Sequence, residues 1–219
     1  MPSIPACVAK DVSECWVYHP VRSFDSALRV QVSNTSIGGE GLIVTGNATD
    51  DAHDSVKIAL TWVRYYRSAL LAGLGLNGRE GPSLADVYGP GRQLHIHVAP
   101  GATPKNGICG GAIAIALVSF MTKRPVMDNL VVVGEMGSQG QLYGLSGFEL
   151  SSVRSTVELC GYQHMVVSEA IWESKRDWLN ERGLQGLSIV GSDTLHRSIG
   201  SILGRPLGNG EGVDEGAAV

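Results

Sequence analysis

His95-Ile96-His97-Val98, then Gly101-Ala102-Thr103-Pro104-Lys105-Asn106-Gly107-Ile108-Cys109-Gly110-Gly111, then Ala112 to Met121, is the stretch on which the reading of this chain turns. Leu94, Ile96 and Val98 alternate with His95 and His97, which predicts a half-buried strand carrying both imidazoles on one face. Glycines and Pro104 break that strand into a tight loop. Ala112 to Met121 has almost no polar side chain and predicts a helix buried on nearly all sides. The loop therefore delivers Cys109 to the start of a buried helix. Unpaired backbone N–H groups and the helix dipole favour an anion there, which would lower the thiol's pKa and could form an oxyanion hole. Gly107 and Gly110 give the loop its freedom, and Lys105 is its cation. The same residues also fit a plain packing role, with Cys109 a small side chain against the sheet and the glycines serving only the turn.

Outward from this stretch, 28–32 alternates as a strand, Gly38-Gly39 with Gly41 marks a turn, and 41–45 is a second strand, so a hairpin is expected. Asp50 and Asp51 open a helix over 51–71, with Val56, Ala59, Leu60, Val63 and Leu70 on one stripe. Residues 77–90 form a polar loop. Later come a buried strand at 130–133, a hairpin over 136–143 carrying Gly137 and Gly140, and a helix at 149–159 ended near Gly161. A strand at 164–167, a helix at 171–182, a strand at 187–190 and a helix at 193–203 follow. Strands and helices alternate, so the class is α/β, with mixed sheets and packed helices. Residues 1–27 read as an irregular lead-in, 28–203 as one domain, and 204–219 as a disordered acidic, Gly-rich tail.

With 219 residues, 43% hydrophobic and 17% charged, the chain can bury a sizeable core. A formal net charge of −4 argues against a nucleic-acid surface spread over the domain. No apolar run approaches the roughly 20 residues that span a bilayer, and the first residues mix Pro, Lys, Asp and Glu where a secretory signal would be apolar. Cys7, Cys15, Cys109 and Cys160 form no CxxC pair. That points to a reducing, intracellular setting without a structural zinc. His95 and His97 could hold a metal, but the sequence offers no third ligand. Gly73 and Gly75 are not followed by GK[ST], so no phosphate loop and no cofactor is expected.

The quoted stretch resembles the segment leading to the nucleophile of Lon proteases, which reads histidine, apolar, histidine, then GATPKDGPSAG. Further elements match in order: Val44-Thr45-Gly46 with Ser55 downstream, Ala116-Leu117-Val118-Ser119, Arg124-Pro125-Val126, Gly134-Glu135, and Gly161 before a Val-rich strand. The resemblance covers about residues 28–200 and implies a fold like the Lon proteolytic domain.

That family uses a serine–lysine dyad, with the lysine in a GGxKEK stretch acting as general base. By resemblance Cys109 falls at the serine. The stretch from Cys109 to Ala116 is about one residue shorter than the family's, which leaves Gly110 as the other candidate for that place. The lysine's stretch corresponds to Ser146-Gly147-Phe148-Glu149-Leu150-Ser151-Ser152-Val153, which holds no lysine in any register. Glu149, Ser151, Ser152 and Val153 occupy this degenerate region, and the nearby Arg154 stays protonated and cannot act as base. Asn106 replaces the family's aspartate, and Val133 its lysine-positioning threonine. The resemblance implies a pseudopeptidase: a Lon-type fold without an ATPase module, kept for binding a polypeptide or for assembly into a ring-like homo-oligomer. Neither nucleic acid nor membrane is an expected partner. The alternative is an ATP-independent cysteine endopeptidase in which His95 or His97 serves as the base of Cys109, a pairing chemically sufficient for peptide cleavage.

Overall fold

The computed structural model describes residues 12–18, 27–35, 41–46, 50–76, 90, 92–98, 109–143, 160–181 and 187–204. Its strands are β1 (Val12–Tyr18), β2 (Ala27–Thr35), β3 (Gly41–Gly46), β4 (Gln93–Val98), β5 (Leu130–Val132), β6 (Glu135–Met136), β7 (Leu142–Tyr143), β8 (His164–Ser168) and β9 (Ser188–Ser192). Its helices are α1 (Asp50–Tyr65), α2 (Arg67–Gly73), α3 (Gly110–Thr122), α4 (Glu169–Glu181) and α5 (Leu195–Ile202). The main sheet runs β3-β4-β2-β1-β5-β8-β9, and β6 and β7 form a separate two-stranded ribbon. Strand β2 is antiparallel to both its neighbours, and every other adjacent pair in the main sheet is parallel. The α/β class read from sequence is the architecture observed.

Three expectations change. The stretch read as an irregular lead-in contributes β1, the central strand, paired to β2 on one side and β5 on the other. The hairpin of 28–32 with 41–45 does not form, because β4 lies between the two strands, antiparallel to β2 and parallel to β3. The reason is the helical crossover: a chain that leaves β3 through α1 and α2 returns alongside it in the same direction. A glycine turn signal in the sequence does not choose the partner strand. The helix expected over 51–71 bends at Tyr66, where its ring stacks on His196 of α5 at 4.8 Å and 9°. The helix at 149–159, most of the 77–90 loop and the tail after Gly204 lie outside the described residues.

Strand alternation decides what faces what. Val30, Val32, Leu94, Ile96 and Val98 are fully buried in one core with Val56, Ala59 and Trp62 of α1 and most of α3. The register keeps these positions level: Val30 faces Val98, Val32 and Val44 both face Ile96, and Leu42 faces Leu94. Helix α3 is buried from Gly110 through Met121, between the sheet strands β1 and β2 and helix α1. Each of its large aliphatic side chains contributes on the order of 1.5–3 kcal/mol by leaving water. Leu117→Ala should therefore cost about 2–5 kcal/mol in urea unfolding, while Arg64→Ala on the exposed face of α1 should cost less than about 1 kcal/mol. Equal costs for the two would mean that α3 is not the packed centre of the core.

Candidate functional site

Cys109 caps the N-terminus of α3 and is 3% exposed. Its carbonyl accepts the first helical hydrogen bond, from Ile113 N–H at 2.9 Å. Two other elements converge on it. Ser55 is a buried polar residue on the inward stripe of α1, between Ala52, Val56 and Ala59. Glu135 opens β6, immediately after Gly134, whose backbone turns at φ +133°.

A single carboxylate ties these parts together. Ser55 Oγ donates to Glu135 Oε2 at 3.0 Å, Gly110 N–H approaches the same oxygen at 3.4 Å, and Met136 N–H donates to Oε1 at 2.8 Å. The Ser55 hydroxyl also acts on the Cys109 thiol, favouring its ionised form.

The electrostatics reverse the reading made from sequence. Burial pushes the Cys109 thiol up to about 12, and the Glu135 charge adds to the push; Ser55 and the backbone act the other way without offsetting it. The positive end of α3 is present as expected, but the carboxylate of Glu135 faces it. Burial also raises the Glu135 carboxyl above its ordinary value, against the opposing donors Met136, Ser55 and Gly110. Such a thiol is a poor nucleophile. Sequence reasoning noted Ser55 and Glu135 only as points of resemblance. Their signal was a serine on an apolar helix stripe and an acid directly after a buried strand.

His95 and His97 are brought together, but not with Cys109. Thr45 Oγ1 lies 2.7 Å from His95 Nε2 and 2.8 Å from His97 Nδ1, and the two rings are 6.2 Å apart. One hydroxyl can donate to one ring and accept from the other, so the pair is bridged. Leu94, Ile96 and Val98 point into the core that holds Cys109, and the alternate residues His95 and His97 point to the opposite face of the sheet. The geometry therefore supplies neither histidine as base to this thiol. Among the described residues no group of three or more His, Cys, Asp or Glu could hold a metal, and no helix is long and apolar enough to cross a membrane. Lys105, Gly107, Glu149, Ser151, Ser152 and Val153 lie outside the described residues.

The folded thiol keeps its proton to about 12, whereas an unfolded one releases it near about 8.5. The folded state has the full gain from this difference below that lower value and loses it progressively as pH rises. The thermal midpoint of the native chain should fall more steeply between pH about 8.5 and 11 than that of Cys109→Ser, whose hydroxyl does not titrate there. Parallel pH profiles would show that the thiol is not held protonated by the fold.

Residues 25–158 match the family model of the Lon protease (S16) C-terminal proteolytic domain. The curated Lon protease of Erwinia amylovora is 35% identical over 120 residues, 54% of this chain and 14% of its own length. That of Escherichia coli is 34% identical over 120 residues, again 54% and 14%. The Lon protease of Haemophilus influenzae is 28% identical over 180 residues, 80% of this chain and 20% of its own length. The chain thus spans a small part of the length of the relatives it matches. With the family model covering Cys109, Ser55 and Glu135 together, the chain belongs to the Lon protease C-terminal proteolytic domain family.

Proposed function

We propose that this chain is a pseudopeptidase, a Lon-type proteolytic domain kept for binding or assembly after its catalytic dyad was lost. The observation that carries this reading is the chemistry around Cys109: a buried, protonated thiol beside a carboxylate, where the family's dyad needs an amine. Of the lysines, Lys57 pairs with Asp54 at 2.7 Å on the exposed face of α1. Lys123 lies over Phe120 at the far end of α3, about 20 Å of helix from Cys109. The stretch matching the family's lysine, from Ser146 to Val153, holds none in its sequence. Cys109 in the serine's place, Val133 in the threonine's and Asn106 in the aspartate's are consistent with relaxed demands on catalysis.

The purified chain should leave an unstructured casein-type substrate uncut, with the same background as Cys109→Ala. Cleavage that disappears in Cys109→Ala would overturn the proposal and favour a cysteine peptidase instead. For the retained role we favour association of like copies into a ring and contact with polypeptide, as the relationship to Lon proteases suggests. Sedimentation at high concentration should give a mass several times that of one chain; a strict monomer would remove the ring from the proposal.

A further inference from the structure

Glu135 uses both carboxylate oxygens on partners that a bound anion would otherwise take. Oε2 faces Gly110 N–H at the first turn of α3 and the Ser55 hydroxyl, and Oε1 faces Met136 N–H. This position depends on what precedes it in the helix. A Cβ built at Gly110 would fall on Oε1 of Glu135, with Met136 N at 3.1 Å beyond it. Residue 110 can therefore carry no side chain while Glu135 stays where it is. Gly110 does not need a left-handed backbone, since its φ is not among the positive ones; the requirement is space.

We infer that Glu135 is a built-in plug: its carboxylate fills the anion slot at the N-terminus of α3, and Gly110 is the residue that admits it. The slot is thus closed from inside by a group of the same chain, and the thiol behind it is sealed by occupancy as well as by packing. Ser55 serves as the positioning residue, holding the carboxylate through its hydroxyl. The inference rests on the placement of Cys109 at the head of α3 and would stand whether or not any peptidase activity survives.

The two halves of the plug should be non-additive when removed, because either change empties the same slot. The test is alkylation of the full chain with iodoacetamide at pH 8, resolved by peptide mass spectrometry so that Cys160 serves as internal reference. In the native chain Cys109 should react far more slowly than Cys160, which is partly exposed. Glu135→Ala and Gly110→Ala should each speed Cys109 by about ten-fold or more, and the double variant should be no faster than the quicker single one. Glu135→Gln keeps the slot filled in volume, with its amide oxygen toward Gly110 and Ser55 and its NH2 replacing the oxygen that accepts from Met136 N–H, and should leave Cys109 slower than Glu135→Ala does. Unchanged Cys109 rates in both alanine variants, multiplied rates in the double variant, or a Gln variant as fast as the Ala one would each overturn the plug. A rise at Cys160 of the same size would mark general loosening of the fold, and would count equally against a local closure. Peptide cleavage is a separate readout, so loss of the pseudopeptidase reading would leave this outcome unaffected.

Discussion

A helix with no solvent face must find acceptors for the N–H groups of its first turn inside the protein. Helix α3 is in that position, buried from Gly110 onward, and nothing on its own side chains caps it. Glu135 supplies a nearby acceptor from a different element, and much of the site's character follows from this. Water that would solvate a thiolate is excluded, and the carboxylate adds its charge beside the sulfur. A helix start that would favour an anion in isolation is thereby made hostile to one at Cys109.

Much of the second half of the fold was legible because its signals are local. The apolar run of α3, the alternation of β4 and the hairpin of β6 and β7 are each set by periodicity within a few residues. Long-range pairing was not legible. Strand β1 mixes Glu14 with Cys15 and Trp16 and shows no clean alternation, so nothing in 12–18 announces a central strand. The placement of β4 between β2 and β3 depends on a crossover, which no turn residue encodes. The site was half legible for the same reason. The head of α3 can be read from residues 101–121, but the sign of its electrostatics depends on Glu135 and Ser55, which reach it from another strand and another helix. The histidines show the limit of the period-two rule: it correctly put both on one face, and that face is turned away from the thiol.

Within the Lon family the departures of this chain form a consistent set. By resemblance Cys109 falls at the nucleophile, residues 146–153, which match the basic partner's stretch, hold no lysine, and Val133, fully buried, stands where the positioning threonine would be. Among the described residues, the packing of α3 and the hydrogen bonds of Glu135 hold the site together.

The place of β1 in the sheet bears on which part of the chain is autonomous. Its residues lie upstream of the region that matches the family model, yet among the described strands they form the hydrogen-bonded link between β2 and β5. A fragment trimmed to the matched region would keep β3, β4 and β2 as one raft and lose both the bridge and the final two strands. Among the described strands, the seven-stranded sheet therefore needs residues on both sides of the region that matches the family model.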